Sequence, residues 1–151
     1  MIGVQEFRPD DRTLDDFTGV TFLTAVSWSL WNRTGFEVQS GRNITYSYRD
    51  EEPFYLLTNG RLSMSHRIYG PLEVVGSAER QFLSYRFQRS IPDVLSLPDE
   101  ATRNIFSAGV GVTLYRSLKV TVSGERTLRH SDIDSENFSR TRLLTSVTFG
   151  S

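Results

Sequence analysis

From Gly19 to Leu30 the chain alternates. Val20, Phe22, Val26, Trp28 and Leu30 occupy even positions, and Thr21, Leu23, Ala25, Ser27 and Ser29 sit between them. Side chains of a strand point to opposite faces in turn, so a period of two predicts a strand with one apolar face. The pattern recurs over residues 36–48, where Phe36, Val38, Ile44, Tyr46 and Tyr48 oppose Glu37, Gln39, Asn43, Thr45 and Ser47. Over 54–68, Leu56, Leu62, Met64 and Ile68 oppose Asn59, Arg61, Ser63, Ser65 and Arg67. A segment from Leu72 starts cleanly and blurs after Ala78, which predicts a bulge there. Over 105–114, Phe106, Ala108, Val110, Val112 and Leu114 share a face, and a strand from Leu118 carries Val120 and Val122 on one side. Leu143, Val147 and Phe149 mark a last strand, and residues 2–7 a weaker first one.

The connections alternate in length. Tight turns fall at 31–35, 69–71 and 115–117, and longer polar loops at 49–53, 88–104 and 130–139. The hairpins repeat crudely as "WNRTGFEV", "YGPLEVVG" and "YRSLKVTV". Short turns at one end and long loops at the other predict an all-β fold, an antiparallel up-and-down barrel of about eight strands in one domain. The loop 88–104, with Pro92, Asp93, Pro98, Asp99 and Glu100, is the longest and is expected on the outside, folding over the mouth.

Alternation does not say whether the apolar face meets a protein core or lipid. A soluble β-barrel, lipocalin-like and binding a small molecule, puts apolar side chains inside. A membrane barrel inverts this. Three details favour lipid. The polar face is rich in Ser, Thr, Gly, Asn and Gln. Aromatic residues gather near strand ends, as interfacial girdles do: Trp28, Trp31, Tyr69 and Tyr115 near tight turns, and Tyr46, Tyr48, Phe54, Tyr55, Phe82 and Phe106 near long loops. The strands run to about 10–14 residues, beyond the soluble norm of about 5–6. Arg42 argues the other way, since it lies on the apolar face six residues beyond Phe36. Arg80 and Arg126 share that face but lie eight residues beyond Leu72 and Leu118, far enough to reach headgroup phosphates.

Composition narrows the chemistry. Of 151 residues, 38% are apolar and 23% charged, with a net charge of −1, so no basic excess points to nucleic acid. There is no cysteine, which removes disulfides, thiolate metal sites and cysteine nucleophiles. No run of about 18 apolar residues offers a transmembrane helix. "IGVQEFRPDD" after Met1 is no secretory signal, so the chain is expected to be unexported or a piece of something longer.

The stretch "LKVTVSGERTLRHSDIDSENFSRTRLLTSVTFGS" resembles the end of the outer-membrane beta-barrel, porin-like proteins associated with exopolysaccharide or capsule export. The likeness lies in an alternating strand, an arginine-bearing strand end ("TLRHSD"), a short polar loop, an aromatic–x–Arg step ("FSRTR") and a closing strand with Phe149 near its end. It covers about the last 35 residues closely and the rest through the hairpin pattern. Such proteins are bacterial, usually longer, and carry a signal peptide. The resemblance implies a Gram-negative outer-membrane location, and outer-membrane lipid and the barrel-assembly machinery as partners. Polysaccharide or small polar solutes are the implied cargo, without cofactor or enzymatic activity. This chain then reads as the C-terminal portion of a larger barrel.

Candidate chemistry elsewhere is thin. "HSD" at 130–132 places His, Ser and Asp in one loop, where adjacent residues rarely converge into a triad. His66 lies on the apolar face near a tight turn and suits a headgroup contact. The two histidines have no metal-ligand spacing, and the Asp10–Asp11 and Asp15–Asp16 pairs lack the spacing of a calcium loop. "GVGV" at 109–112 lies within a strand, where glycine relieves crowding rather than binding phosphate. The functional surface is therefore the polar face, with Glu37, Gln39, Arg61, Arg67, Glu73, Glu79, Lys119 and Glu125 facing a lumen. If Ile68 and Leu72 pair across their turn, Arg67 faces Glu73, Arg61 faces Glu79, Leu62 faces Ala78 and Met64 faces Gly76. Opposite charges then coincide without having been used to set the register.

Overall fold

The computed structural model describes residues 2–7, 17–49, 52–86, 100–114, 118–131 and 136–149. They form eight strands: β1 (Ile2–Phe7), β2 (Phe17–Leu30), β3 (Thr34–Arg49), β4 (Glu52–Tyr69), β5 (Leu72–Arg86), β6 (Glu100–Leu114), β7 (Leu118–Ser131) and β8 (Phe138–Phe149). Each pairs antiparallel with the next in chain order, in one sheet. Among the described residues β1 and β8 do not pair, so the sheet is not closed.

The sheet carries a barrel's stagger. One row of partners runs Leu30, Thr34, His66, Val74, Val110, Val122 and Thr145. Leu30 and Thr34 are strand ends at the first tight turn. Val74 is already two residues inside β5, and Val122 four inside β7. The turns therefore step by two residues per hairpin, about one per strand, the shear that tilts strands in a barrel.

Turn chemistry fixes these hairpins. Trp31 and Asn32 have φ of 49° and 53°, and Arg33 N–H donates to Leu30 O at 3.1 Å. Two central residues of positive φ make a type I′ turn, whose twist suits flanking strands. An aromatic there is uncommon. Gly70 has φ of 54° and precedes Pro71, the type II′ order of residues.

The β4–β5 register is the expected one: Arg67↔Glu73, Arg61↔Glu79, Leu62↔Ala78 and Met64↔Gly76. The strand limits differ. No bulge follows Ala78, since β5 pairs without interruption from Glu73 to Arg86 with β4 and from Leu72 to Ser84 with β6. The blur in its pattern comes from Arg80, whose guanidinium lies 4.8 Å from the Phe82 ring centroid on the apolar face. Register shifts fall instead between Tyr46 and Arg49 and between Arg67 and Tyr69. Thr34 and Gly35 belong to β3 rather than to the turn, and Arg49 pairs with Glu52 rather than opening a loop. β6 starts at Glu100, so Glu100–Asn104 is strand. His130 and Ser131 end β7, and Phe138 and Ser139 open β8. In each case polar residues read as loop while the backbone ladder continued, because pairing needs no apolar side chain. The loop centre at 88–99, Tyr115, Asp132 and the aspartates at 10–16 lie outside the described residues.

Candidate functional site

Accessibility separates the two faces most clearly over 78–83, 106–111 and 122–127, whereas outward Ile44 and Leu56 are buried and both faces of β8 are exposed. Val26, Leu62, Val110, Val122 and Leu143 of the apolar face are exposed, Leu143 to 76%. Along β7 the apolar-face positions Val122, Gly124 and Arg126 are exposed, and Ser123, Glu125 and Thr127 between them are less so. Thr127 is 8% exposed and buried. Among the described residues no large side chain is fully buried. Water-soluble sheets hide their apolar side. Within β5, β6 and β7 this one recesses its polar side.

The recessed face curls. Lys119 of β7 forms an ion pair with Glu73 of β5, across β6. Gly111 lies between them, and a Cβ there would come within 3.1 Å of Glu73 Cγ and 3.2 Å of Thr121 Oγ1. The missing side chain lets the pair reach over a strand. Glu73 is thus the register neighbour of Arg67 and the ion-pair partner of Lys119. Gly109 marks a closer approach still, since a Cβ there would sit 2.5 Å from both Ser123 Cβ and Val122 O. These glycines relieve crowding, as the "GVGV" pattern predicts.

The face is layered. Arg67, Glu73 and Lys119 lie nearest the tight turns. Above them the row Ser27, Glu37, Ser63, Ser77, Ser107, Glu125 and Arg142 crosses six pairings. A cavity of about 630 Å³ opens here, where Ser63, Ser77, Ser107 and Ser123 share the lining with Glu37, Arg61, Trp28 and Phe36. Small side chains leave the space, and the Ser77 and Ser107 hydroxyls are 2.8 Å apart. Glu125 accepts from Arg142 Nε at 2.7 Å, and Arg142 Nη2 is 2.6 Å away.

Next come Gln39, Arg61, Glu79, Thr127 and Arg140, then Asn59, Gln81, Arg103 and Arg129. Gln39 donates to Glu37. Gln81 donates to Glu79 at 2.6 Å and accepts from Arg103 at 3.4 Å. Arg129 donates to Glu136 at 2.5 Å. The top layer is apolar: Leu83 and Ala101, each 3% exposed, pack with Tyr55 and Leu57.

All eight polar-face residues singled out from the sequence share this face through the register. Arg103, Arg129, Arg140 and Arg142 share it too, and sequence reasoning passed them over. Arg103 lay in a presumed loop. Arg140 and Arg142 alternate with Thr141 in "FSRTR", a period-two signal that was available.

The aromatic residues fall toward both ends of the strands. Trp28 stacks on Phe36 at 5.5 Å between centroids. Trp31 and Tyr69 are exposed at the tight turns, and Phe82 and Phe106 on the apolar face. Tyr46 pairs with Phe54 in register, and Tyr48 lies within β3. His66 does not stand free near its turn: its Nδ1 is 2.8 Å from Thr34 Oγ1. His130 pairs with Thr102 on the apolar face, whereas Ser131 pairs with Ala101 on the recessed one, so the two adjacent residues diverge.

Residues 1–150 match the profile of a family described as "Putative beta-barrel porin 2". No curated protein and no solved structure matches the chain.

Proposed function

The chain belongs to this beta-barrel porin family, and on that footing we propose that it forms the wall of an outer-membrane channel whose recessed face meets water and passes polar solutes. The observation that carries the reading is the inversion of polarity: apolar side chains exposed on one face, serines and paired charges recessed on the other. A soluble, lipocalin-like binder would need the reverse. In hydrocarbon an unpaired backbone edge costs several kcal/mol per group. Among the described residues β1 and β8 do not pair, so this sheet has two open edges. On this reading further strands beside those edges would complete the barrel, with this chain as one part of its wall. The serine cavity supports that, because an eight-stranded barrel has room only for its own side chains.

Lipid and the barrel-assembly machinery are the partners this reading requires. A role in exopolysaccharide export is its finer form. It is supported by the resemblance of the closing hairpin and by a cavity that sets serine hydroxyls beside Glu37, Arg61 and the Trp28 and Phe36 rings, groups that suit a polyhydroxylated cargo.

Planar-bilayer recording of the full protein tests the channel. Stepwise conductance that falls on Ser63→Trp, which fills the cavity, is expected. Absence of conductance from a protein folded in detergent would overturn it, as would a monodisperse β-rich species in plain buffer. Partial block by a neutral oligosaccharide, and none by a salt of similar size, is expected of the finer reading.

A further inference from the structure

Arg42, Arg80 and Arg126 lie on the outward, apolar face, and their spacing is regular. Each comes eight residues after the first residue of its strand, at Thr34, Leu72 and Leu118. Those strand starts follow the three tight turns, which step along the barrel's stagger. Equal distance from the turns therefore means equal height. At a rise of ~3.3 Å per residue and a tilt of ~40°, eight residues climb roughly 20 Å. That is near the upper edge of an apolar band about 25 Å tall. Thr34 belongs to β3, so Arg42 does not sit in the middle of the band; it stands level with the other two.

The surroundings repeat as well. Two positions below each arginine the outward residue is small: Ser40, Ala78 and Gly124. Two positions above it is apolar: Ile44, Phe82 and Leu128. Across the hairpin stand Phe22, Gly60 and Phe106. At Gly60 and Gly124 a Cβ would meet nothing within 4 Å, so space is open beside Arg80 and below Arg126. Arg80 directs its guanidinium upward over the Phe82 ring at 4.8 Å, away from the band.

Among the described residues no ion pair joins these three cations to a carboxylate. From the tight turns up to this height, no outward position of the described strands is Asp or Glu. Arg42 Nε is buried without a hydrogen-bond partner among the described residues, as are Arg103 Nε and Arg129 Nε of the recessed face, so the faces differ in their carboxylates and not in this atom. On the recessed face, by contrast, Lys119, Arg129 and Arg142 each meet a carboxylate. A guanidinium at a lipid boundary with no protein anion takes its anion from the lipid, and its planar fork fits phosphate oxygens.

We propose that Arg42, Arg80 and Arg126 form a belt that binds phosphate groups of outer-leaflet lipid, with the small residues beneath leaving room for the lipid against the wall. The belt rests on the reading of the chain as a membrane barrel. It adds a lipid-binding site to the outside of that barrel.

Native mass spectrometry of the full protein, folded in detergent and titrated with diphosphoryl lipid A or its dephosphorylated form, tests the belt. Heat-shifted migration on an unboiled detergent gel certifies the fold separately. The wild type is expected to retain the phosphorylated lipid about tenfold better than the dephosphorylated one. The R42Q/R80Q/R126Q variant is expected to lose that preference. R142Q, which removes an inward cation of the same charge, is expected to keep it. If the triple variant fails to fold, the three single Arg→Gln variants decide, each with a drop of about twofold to threefold expected. Equal retention of the two lipids, an unchanged preference in a folded triple variant or in all three singles, or displacement of the lipid by inorganic phosphate alone would overturn the belt. A wild type without the heat-shifted species would overturn the barrel reading itself.

Discussion

The two faces of this sheet treat positive charge in opposite ways. On the recessed face Lys119 meets Glu73, Arg142 meets Glu125 and Arg129 meets Glu136. On the outward face Arg80 has an aromatic ring beneath it, and no outward carboxylate lies between it and the turns. Arg129 and Arg142 of one face are balanced within the protein, and Arg42, Arg80 and Arg126 stand on the other. On the channel reading proposed above, the difference follows from the medium. A cation in a watered groove can hold a local carboxylate at little cost. A carboxylate set beside it in the apolar band would itself have to leave water. Charge on the outer face is therefore admitted at the rim, with the balancing anion left to the surroundings.

That contrast can be broken hardest by charging the band itself. Val110 is exposed on the outward face, four residues from the end of β6 at Leu114. Val110→Arg is expected to cost about 2–4 kcal/mol in urea titrations of the protein folded into vesicles, the range for a cation near the bilayer midplane. On the recessed face Ser107→Arg is expected to cost under about 1 kcal/mol, because water and Glu125 are at hand. Equal costs would mean that the outward face does not meet lipid.

Space sharpens the comparison next. Gly109 has no room for a methyl group, whereas outward Gly60 has open surroundings. Gly109→Ala is expected to destabilise by about 1–3 kcal/mol through overpacking. Gly60→Ala is expected to be neutral or slightly stabilising, and the same titrations report both.

The smallest effect concerns register. Arg61 and Glu79 are Cα partners, and Glu79 also accepts from Gln81 at 2.6 Å. A double-mutant cycle with Arg61→Gln and Glu79→Gln is expected to show a coupling of about 0.2–1 kcal/mol. A coupling of zero at low salt would leave these charges as lining alone, without a part in strand pairing.

Most of the β4–β5 hairpin was legible beforehand, and the reason is geometric. A strand's side chains have a period of two, so a slip of one residue would turn Leu62, Met64 and Ile68 to the wrong face. Gly70 and Pro71 then left one turn for the register to start from. Strand ends were less legible. "EATRN" before Ile105 and "RHS" at the end of β7 carry no apolar alternation, and they are strand only because neighbouring backbones offer partners. Arg103 was lost with the first of these segments.

The sequence by itself determined that this chain is all-β, that its strands run up and down, and that each has one apolar and one polar face. Those properties follow from alternation and turn residues within a few positions of one another. Tertiary structure alone decided what depends on distant strands lying side by side. It set the stagger that brings Arg42 level with Arg80 and Arg126. It joined Lys119 to Glu73 over the bare backbone of Gly111, and it opened a serine-lined cavity from residues of several strands. No local pattern encodes such distances, because they are fixed by the shear and curvature of the whole sheet.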